Sequence, residues 1–514
     1  MHRCSKRRRD ASLISVGESR LRVYDDIHGL VFLAPAEEQI VDSPYFQRLR
    51  RIRQLGLAHM VFPGADHTRF SHSIGVLAVA AKVCGKLKAD LSPREQDMIR
   101  MAALLHDIGH FPLSHTLESA YAAFNKTEAT QKRARDVELK PPQGRRNPHL
   151  PPDGASRVTV EPALHEEFGK WVVENTDVPG GITRILAENS FNPEEIAGIA
   201  APIAGAHDDT LINQLLRSDL DVDKMDYLLR DARNTGVGYG EYDIEYLIDN
   251  MKVVTIDGRR LLCVDQPALH TTEHYLLAKH FYWIQLLFQK TRFIIEELAS
   301  CICRRLLEAG FPRLPDYQTL KTWAKKPHKF MMFDDDYITA VMRVAEASRK
   351  VHEDTKALIR MLRYRELPGL LLEWQASVKK ANRTEVGRLK QGFSEACDSV
   401  RCVGDAHAVL KRCGLDRFPD AHVGHARTLR EYGEEADISL RRVLIDHPDP
   451  IRIALRSKDA FSPTQVRRSD DGTRWVTIIE QLRGSLMSDL ARRDLRILRM
   501  YGGRSTGAGV DADA

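Results

Sequence analysis

The chain has 514 residues, 43% of them hydrophobic, which is enough for two or three domains with a sizeable core. Its 76 basic and 71 acidic residues give a net charge of +5, so the composition does not indicate a dedicated nucleic-acid binder, although basic patches suit an anionic substrate. Eight cysteines without a CxxC pair predict reduced thiols rather than a disulfide framework or a zinc knuckle. No run of about 18 apolar residues is present, so we expect a cytoplasmic protein with no membrane partner.

Composition and periodicity divide the chain into four parts. Residues 1–20 are strongly basic and are predicted to form a flexible arm. Residues 21–310 carry helical patterns and are predicted to form the main domain, interrupted by a charged, proline-rich and exposed insertion at 125–160. Residues 311–501 are predicted to be a helical or α+β appendage, and 502–514 a disordered tail. The expected fold class is mainly α with short β-hairpins.

The N-terminal elements follow from turn and capping signals. Residues 21–33 place apolar positions on both sides of a polar turn and predict a hairpin. Asp42 or Ser43, followed by Pro44, predicts the start of a helix. Phe46, Leu49, Ile52 and Leu55 recur at helical spacing after that cap. A further helix is expected to about Leu87, and another from Pro93 into His106 and Asp107.

The later elements are read in the same way. Helices are expected to continue to about Leu216, and residues 251–264 predict a hairpin with Asp257 and Gly258 as its turn. A long helical pattern then covers Thr271–Leu306. Two strand-like runs follow in the C-terminal part, at Ile438–Ile445 and Trp475–Ile479.

The densest chemical signal is the segment from Ala102 to His115, which reads AALLHDIGHFPLSH. An imidazole and a carboxylate stand side by side in His106 and Asp107, and His106 and His110 are expected to share one helix face. Burying that carboxylate in an apolar frame is costly unless a charge compensates it, so a metal ligand is the favoured interpretation.

His72 and Asp223 are the other natural ligand types in polar segments. Taken singly, His72 is equally compatible with a helix cap or a core histidine, and Asp223 with a solvated helix acid. Two histidines and two aspartates would leave coordination positions open, which is typical of a catalytic site for Mn, Mg, Fe or Zn.

Other polar residues near these ligands suit phosphoryl chemistry. His110, His115 and His165 are candidates for supplying a proton to a leaving oxygen, and Glu118 is placed to orient His115. Arg69 and Lys224 stand close in sequence to proposed ligands and are candidates for phosphate binding. The chain has no glycine-rich phosphate loop or HExxH motif, and its GxSxG string at residues 503–507 lies in the predicted disordered tail rather than between a strand and a helix, which argues against P-loop NTPases, zincins and serine hydrolases.

Four motifs in order resemble those of a known family: PYFQRLRRIRQLG, HTRFSHSIGV, LLHDIGHFPLSH and DLDVDKMDYLLRDARNTGVGYG. Over about residues 20–300 they are similar to the HD-domain deoxynucleoside-triphosphate (dNTP) triphosphohydrolases, the group of the SAM-and-HD-domain enzyme and its bacterial relatives. The resemblance implies an HD-domain helical core and metal-dependent cleavage of a dNTP to deoxynucleoside and triphosphate by water attack on the α-phosphorus.

The resemblance also assigns roles to individual residues. The metal ligands would be His72, His106, Asp107 and Asp223. His115 would be the general acid with Glu118 behind it, and His110 and His165 would contact phosphate or the attacking group. Substrate binding would fall to Arg69 and Lys224 at the phosphates and to Gln54, Leu55, Tyr227 and Asp231 around the sugar, with Tyr227 excluding a 2′-hydroxyl.

A regulatory nucleotide site is implied at a subunit interface of the same family. Asp42, Gln47 and Arg50 match its guanine-reading residues, and Arg22, Val23, Asp25 and Asp26 match its phosphate-side segment, with Asp25 in place of an amide. GTP or dGTP would then activate a homo-oligomer, a tetramer or dimer. The alternative is that these are ordinary residues of the helical core.

Two other functions remain open from the sequence. One is an HD-type phosphodiesterase or nuclease acting on a cyclic or signalling nucleotide or on nucleic acid. The other is a catalytically silent nucleotide sensor, against which the complete ligand set argues. The family resemblance suggests deoxynucleotide depletion as an antiviral defence.

Overall fold

The structure is a computed structural model that describes residues 21–125, 164–256 and 258–367, together with the backbone of strands at 369–379, 465–467, 475–477 and 493–502. The predicted basic arm, nearly all of the predicted insertion, the strand-like run Ile438–Ile445 and residues 503–514 lie outside the described residues. The four-part domain division therefore stays a prediction.

The chain begins with a hairpin of β1 (Leu21–Asp25) and β2 (Gly29–Leu33), in which Leu21 lies opposite Leu33 and Asp25 opposite Gly29. Gly29 has φ +75°, a left-handed conformation that glycine adopts at no steric cost. The predicted hairpin is confirmed. Helices α1 (Pro35–Asp42) and α2 (Pro44–Arg48) follow, and Ser43 caps α2 by accepting a hydrogen bond from the Phe46 amide.

The helix expected from the spacing of Phe46, Leu49, Ile52 and Leu55 ends early. All four side chains are buried, but α2 gives way to 3₁₀ turns at Leu49–Arg51 and Gly56–Met60. Ile52 is extended because its carbonyl accepts from the Arg69 amide and the chain here pairs with the segment before α3. The expectation of a continuous helix was wrong, because the four apolar side chains are buried without a continuous helical backbone between them.

The central helices are α3 (Arg69–Lys86), α4 (Pro93–Leu105) and α5 (residues 115–125). Ser92 and Glu95 form a capping box at the start of α4, so the sequence determines where this helix begins. The helix ends at Leu105, and His106 is its C-cap. His106 and His110 consequently do not share one helix face, contrary to the prediction, because the chain turns between them.

The remaining helices of the first half are short, except for α10, which packs directly on α3. They are α6 (His165–Asn175), α7 (Ile182–Glu188), α8 (Pro193–Ala200), α9 (Thr210–Leu216), α10 (Val222–Thr235) and α11 (Ile244–Asp249). Asp221 caps α10 by accepting from the Lys224 amide, and Gly236 ends it in a left-handed conformation.

A second hairpin, β3 (Met251–Ile256) and β4 (Arg259–Val264), confirms the prediction for 251–264. The long helix predicted at Thr271–Leu306 is divided into α12 (Leu269–Tyr282), a π-helical turn at Trp283–Leu287 and α13 (Lys290–Glu308). Four more helices follow: α14 (Tyr317–Ala324), α15 (Pro327–Met331), α16 (Asp335–Ala347) and α17 (Glu353–Arg363).

Four C-terminal strands complete the described chain: β5 (Gly369–Lys379), β6 (Gln465–Arg467), β7 (Trp475–Thr477) and β8 (Arg493–Gly502). β5 and β8 pair antiparallel, and β3-β4-β6-β7 form a sheet in which the β4–β6 pair is parallel. The mainly α fold with short hairpins and an α+β appendage is confirmed.

One buried core runs from Val31 to Leu367, so the C-terminal helices pack on the central ones. Arg48 is completely buried at this junction and donates to the carbonyls of Phe333, Ile108 and His110 at 2.9, 3.2 and 2.6 Å. Among the described helices, none combines the length and hydropathy needed to cross a bilayer.

Candidate functional site

Three helices bring the four predicted metal ligands together. His72 lies in the first turn of α3, His106 and Asp107 leave the end of α4, and Asp223 lies in the first turn of α10. His72 Nε2 is 3.0 Å from Asp223 Oδ1 and 3.1 Å from His106 Nε2. His106 Nε2 is 3.4 Å from Asp107 Oδ1 and 3.7 Å from Asp223 Oδ1. Ligand atoms bound at about 2.1 Å to one ion lie roughly 3.0–3.4 Å from one another, so most of these spacings suit a single cation.

The hydrogen bonds made by Nδ1 of His72 and His106 determine which ring nitrogen of each can bind a cation. His72 Nδ1 is 2.7 Å from Asp226 Oδ2, and His106 Nδ1 is 2.8 Å from the Ala103 carbonyl oxygen. Both partners are acceptors, so each Nδ1 carries the proton in the neutral ring and each Nε2 presents a lone pair. His72, His106 and Asp107 have ligand atoms that all lie within 4.8 Å of one another, and Asp223 approaches this group through the two histidines, so the residues fit a divalent metal.

The electrostatics of the cluster point the same way. Burial alone would lower the pKa of His72, but the carboxylates of Asp223, Asp226 and Asp107 outweigh it and raise the pKa to about 10. Burial would raise the pKa of Asp107, yet Arg69, His106 and His72 bring it down to about 2. The site thus favours ionised carboxylates and an added positive charge, which a bound metal would supply in place of a proton.

The proposed proton donors form a second cluster beside the first. His115 Nδ1 lies 2.8 Å from Glu118 Oε2, and His165 Nδ1 lies 3.2 Å from the same oxygen. The rings of His110 and His165 stack with centroids 3.8 Å apart, and His110 Nε2 is 3.4 Å from Asp107 Oδ1. The structure therefore brings all four predicted catalytic residues next to the candidate metal ligands.

These histidines differ in exposure. The His115 side chain is 67% exposed, whereas that of His110 is 2% exposed. Burial and the positive charges of Arg69 and His165 lower the pKa of His110 well below its ordinary value, so its ring stays neutral. Burial would raise the pKa of Glu118, but hydrogen bonds from His115 and His165 lower it, and the carboxylate stays ionised.

The two predicted phosphate-binding residues already have acidic neighbours. Arg69 is buried and donates to Asp107 Oδ2 at 2.6 Å, to Ser114 Oγ at 3.1 Å and to the Gln54 carbonyl at 3.1 Å. Lys224 Nζ is 2.6 Å from Asp221 Oδ2. Burial would lower the pKa of Lys224, but Asp221 and Asp223 raise it, so the ammonium remains charged.

A cavity of about 90 Å³ opens beside the candidate metal ligands. Two of its charged lining residues, Glu166 and Arg217, were not predicted from the sequence. Arg217 donates to Glu166 and, at 2.9 Å, to the Ile203 carbonyl. The cavity is also lined by His106, Asp107, His165, Pro202, Leu216, Asp223 and Lys224. Glu166 follows His165 directly, which was the one local signal for it; nothing local marked Arg217.

Two of the residues predicted around the sugar, Asp231 and Gln54, contact His67, which was not predicted from the sequence. Asp231 is fully buried and accepts from His67 Nε2 at 2.7 Å and from the Tyr282 hydroxyl at 3.0 Å. The Tyr227 ring lies 4.9 Å from that of Tyr282. Gln54 and Leu55 are buried as well, and Gln54 Oε1 has no hydrogen-bond partner among the residues that the structure describes. The position of His67 in the HTRFSH segment was the available signal.

The predicted regulatory residues between Asp42 and Arg50 lie in two places: Arg50, bonded to Gln47, lies beside Phe70, and Asp42 lies in a surface groove. Gln47 accepts from Arg50 Nε at 2.9 Å, and the Arg50 guanidinium lies 3.5 Å from the centre of the Phe70 ring. Asp42 is exposed and contributes to an open groove of about 980 Å³ with residues of α1 and the α7 region.

The hairpin residues of the predicted regulatory site point in different directions. Arg22 is exposed over the Phe32 ring, and Val23 is half-buried. Asp25 is buried and ion-paired with Arg230 at 2.8 Å, so its carboxylate faces the protein interior.

Comparisons with known proteins agree with this arrangement. Residues 69–231 match the HD domain family. The chain is 30% identical over 258 residues to an uncharacterized protein of Methanocaldococcus jannaschii, covering 50% of this chain and 44% of that protein. It is 27% identical over 277 residues to human deoxynucleoside triphosphate triphosphohydrolase SAMHD1, covering 49% and 39%. The chain thus spans about half or less of these two relatives.

Two crystal structures resemble the fold over nearly the whole chain. A hypothetical protein from Aquifex aeolicus has a TM-score of 0.58 at 21% identity, covering 94% of this chain and 96% of that one. A phosphohydrolase from Bacteroides thetaiotaomicron has a TM-score of 0.58 at 19% identity, covering 94% and 99%. At these identities the likeness concerns the fold. The HD domain match covers residues 69–231, and all four candidate metal ligands, His72, His106, Asp107 and Asp223, lie within that segment.

Proposed function

We propose that this protein is a metal-dependent phosphohydrolase that cleaves a dNTP to deoxynucleoside and triphosphate by water attack on the α-phosphorus. The observation that carries the proposal is the meeting of two imidazole Nε2 atoms and two carboxylates beside the His115–Glu118–His165 cluster. The similarity to proteins named deoxynucleoside triphosphate triphosphohydrolase supports the choice of substrate.

His72, His106, Asp107 and Asp223 would hold the divalent ion. When bound, a Mn²⁺, Mg²⁺, Fe²⁺ or Zn²⁺ ion supplies Lewis-acid polarisation and neutralises phosphate charge. Arg69 holds Asp107 ionised and oriented through their 2.6 Å contact. Lys224 and Arg69 then add positive charge at the place where phosphate oxygens would bind.

His115 and His110 would take different roles in the reaction. His115 is exposed and hydrogen-bonded through Nδ1 to Glu118, which orients the ring. Its Nε2 is therefore free to donate a proton to the 5′-oxygen of the departing deoxynucleoside. The neutral, buried His110 is unsuited to that step and instead packs His165 against the site.

The sugar would bind near Gln54, Leu55, Tyr227 and Asp231. Gln54 Oε1 is a buried acceptor without a partner in the described part of the chain, and such an atom is stabilised when a ligand hydroxyl donates to it. A 3′-hydroxyl is suitable. The Tyr227 ring would stand against the 2′ position and disfavour ribonucleotides.

Regulation would involve the surface near Arg50. Arg50, Gln47 and Asp42 offer a cation, an amide and a carboxylate, which together suit the edge of a guanine base. GTP or dGTP bound there would favour an active homo-oligomer.

The test is incubation of metal-stripped protein with each dNTP or the matching NTP, with Mn²⁺ or Mg²⁺ and with or without GTP. Free deoxynucleoside and tripolyphosphate, separated by ion-exchange chromatography, are the expected products. His115→Ala should reduce turnover by about 10²- to 10⁴-fold. His270→Ala is the matched control because that side chain is 89% exposed and lies outside the site.

Three other outcomes would contradict the proposal. Cleavage of a cyclic nucleotide or of DNA, with dNTPs untouched, would indicate the phosphodiesterase or nuclease alternative. Nucleotide binding without turnover under any metal would indicate a sensor. Release of pyrophosphate rather than tripolyphosphate would show that the bond between the α- and β-phosphates is cleaved instead of the bond to the 5′-oxygen.

A further inference from the structure

The carboxylate of Asp226 in α10 has all its acceptor positions filled. Oδ2 accepts from His72 Nδ1 at 2.7 Å and from Arg230 Nε at 2.8 Å. Oδ1 lies 2.8 Å from His28 Nε2 and accepts from the second terminal nitrogen of Arg230 at 2.8 Å. Asp226 and Arg230 are both completely buried. A carboxylate held by four donors has a single orientation, and so does the imidazole bonded to it.

Arg230 connects this carboxylate to the β1–β2 hairpin. Its terminal nitrogens reach Asp25 Oδ2 at 2.8 Å and Asp26 Oδ1 at 3.0 Å. The other oxygen of Asp25 accepts from the backbone amides of Ile27 and His28 at 3.0 and 2.8 Å. The hairpin turn is thus folded around Asp25, and the same turn presents His28 to Asp226.

Helix α3 passes directly over this ion cluster. A Cβ placed on Gly75 would lie 2.0 Å from Asp226 Oδ1 and 2.2 Å from a terminal nitrogen of Arg230. Any side chain there would displace the pair, so glycine is required for the helix to approach it. Since Gly75 is three residues after His72, the metal ligand and the cluster are held by the same turn of α3.

We propose that Asp226 is a positioning residue for His72 and that the β1–β2 hairpin, through His28 and Arg230, holds Asp226 in place. Asp226 keeps the proton on His72 Nδ1 and aims Nε2 at the cation. The hairpin lies before residues 69–231, so a segment outside the matched HD domain completes the metal centre. The inference rests on the proposed function only in taking His72 as a metal ligand.

The alternative is that the cluster serves the fold alone. Removing one partner from a buried ion cluster leaves an uncompensated charge and lowers stability whatever its function. Thermal stability without metal therefore cannot separate the two explanations. The affinity for a cation can, because a purely structural contact leaves the metal affinity of the folded protein unchanged.

The experiment measures Mn²⁺ binding to metal-stripped, full-length protein by electron paramagnetic resonance, with thermal unfolding in chelator as the folding control. Asp226→Asn should weaken binding by about 10- to 100-fold, the usual effect of losing the partner of a ligating histidine. His28→Ala should show a smaller loss, near the lower end of that range. His28→Gln retains a donor to Asp226 and should restore most of the affinity.

Tyr24→Ala is the matched hairpin control, because that side chain is 85% exposed and should leave Mn²⁺ affinity unchanged. Should Asp226→Asn fail to fold, the His28→Ala and His28→Gln pair decides the question. Unchanged Mn²⁺ affinity in folded His28→Ala and Asp226→Asn, with lowered stability in chelator, would overturn the inference. Wild-type protein that binds no Mn²⁺ would overturn it together with the metal site. Mn²⁺ binding without dNTP turnover would refute the proposed substrate alone.

Discussion

Gly109, in the turn between Asp107 and His110, offers the sharpest structural prediction. A Cβ added there would lie 2.2 Å from the Gly169 amide nitrogen and 2.3 Å from the His165 carbonyl oxygen. Both atoms belong to the backbone of α6 and cannot rotate away. In Gly109→Ala, α6 must therefore retreat by at least about 1 Å before ordinary van der Waals contact is restored.

The expected losses of stability and activity follow from the displacement of α6, which holds His165 at its first position. Overpacking of this kind costs about 1–3 kcal/mol, which should lower the unfolding temperature by several degrees. His165 at the start of α6 is 3.2 Å from Glu118 and stacks on His110 at 3.8 Å, so both contacts would be lost or lengthened. A misplacement of about 1 Å in an active site can reduce turnover by roughly 100-fold. Thermal unfolding and dNTP turnover measure the two effects.

Gly169→Ala is the matched control. Its Cβ would meet the Gly109 nitrogen at 3.4 Å and Ile203 at 3.5 Å, which are ordinary contacts. Replacing a mid-helix glycine by alanine should then stabilise the protein by about 0.5–1 kcal/mol and preserve activity. The reasoning is refuted if Gly109→Ala unfolds at the wild-type temperature and turns over substrate at the wild-type rate.

Three further predictions follow from the site and the core. His106→Ala or Asp107→Ala should abolish both turnover and the stabilisation by Mn²⁺. In the wild-type protein that stabilisation should reach about 2.7 kcal/mol at 100 times Kd, and a chelator should reverse it. A variant whose calorimetric response to Mn²⁺ is unaltered would count against the ligand set. Burial lowers the pKa of His280 to about 4, so the unfolded state alone binds this proton between pH 6.5 and 4. Stability should fall as the pH falls through that window, by about 2 kcal/mol after allowing for partial screening, and urea unfolding of His280→Leu should show a flatter pH dependence. Arg50→Ala should remove activation by GTP and weaken assembly, measured by turnover and sedimentation; an unchanged GTP response would remove Arg50 from the regulatory site.

The sequence by itself determined the features that depend on neighbouring residues. Ser43, Pro44 and the Ser92 capping box mark helix starts because their side chains satisfy amides within three residues. The two hairpins followed from turn residues between apolar runs. The candidate metal-ligand types were also readable from the sequence, because burying a carboxylate beside an imidazole in an apolar segment is costly unless a charge compensates it.

Local periodicity failed where long-range contacts replaced helical hydrogen bonds. Ile52 has the right spacing for a helix, yet its carbonyl accepts from Arg69, and the pattern records burial rather than backbone conformation. His106 and His110 lie at helical spacing but on either side of a turn, where Arg48 binds the carbonyls of residues 108 and 110. Capping and periodicity carry no information about a partner 60 residues away.

Only the tertiary structure decided how the centre is supported. His28 and Arg230 meet at Asp226 from places about 200 residues apart, and Asp335 of α16 accepts from the Leu113 amide at 2.7 Å across 222 residues. Each of these side chains looks ordinary in its own segment. A buried carboxylate is cut off from water and can bond only to the donors that the packed helices place beside it. The tertiary structure therefore determines which donors these are.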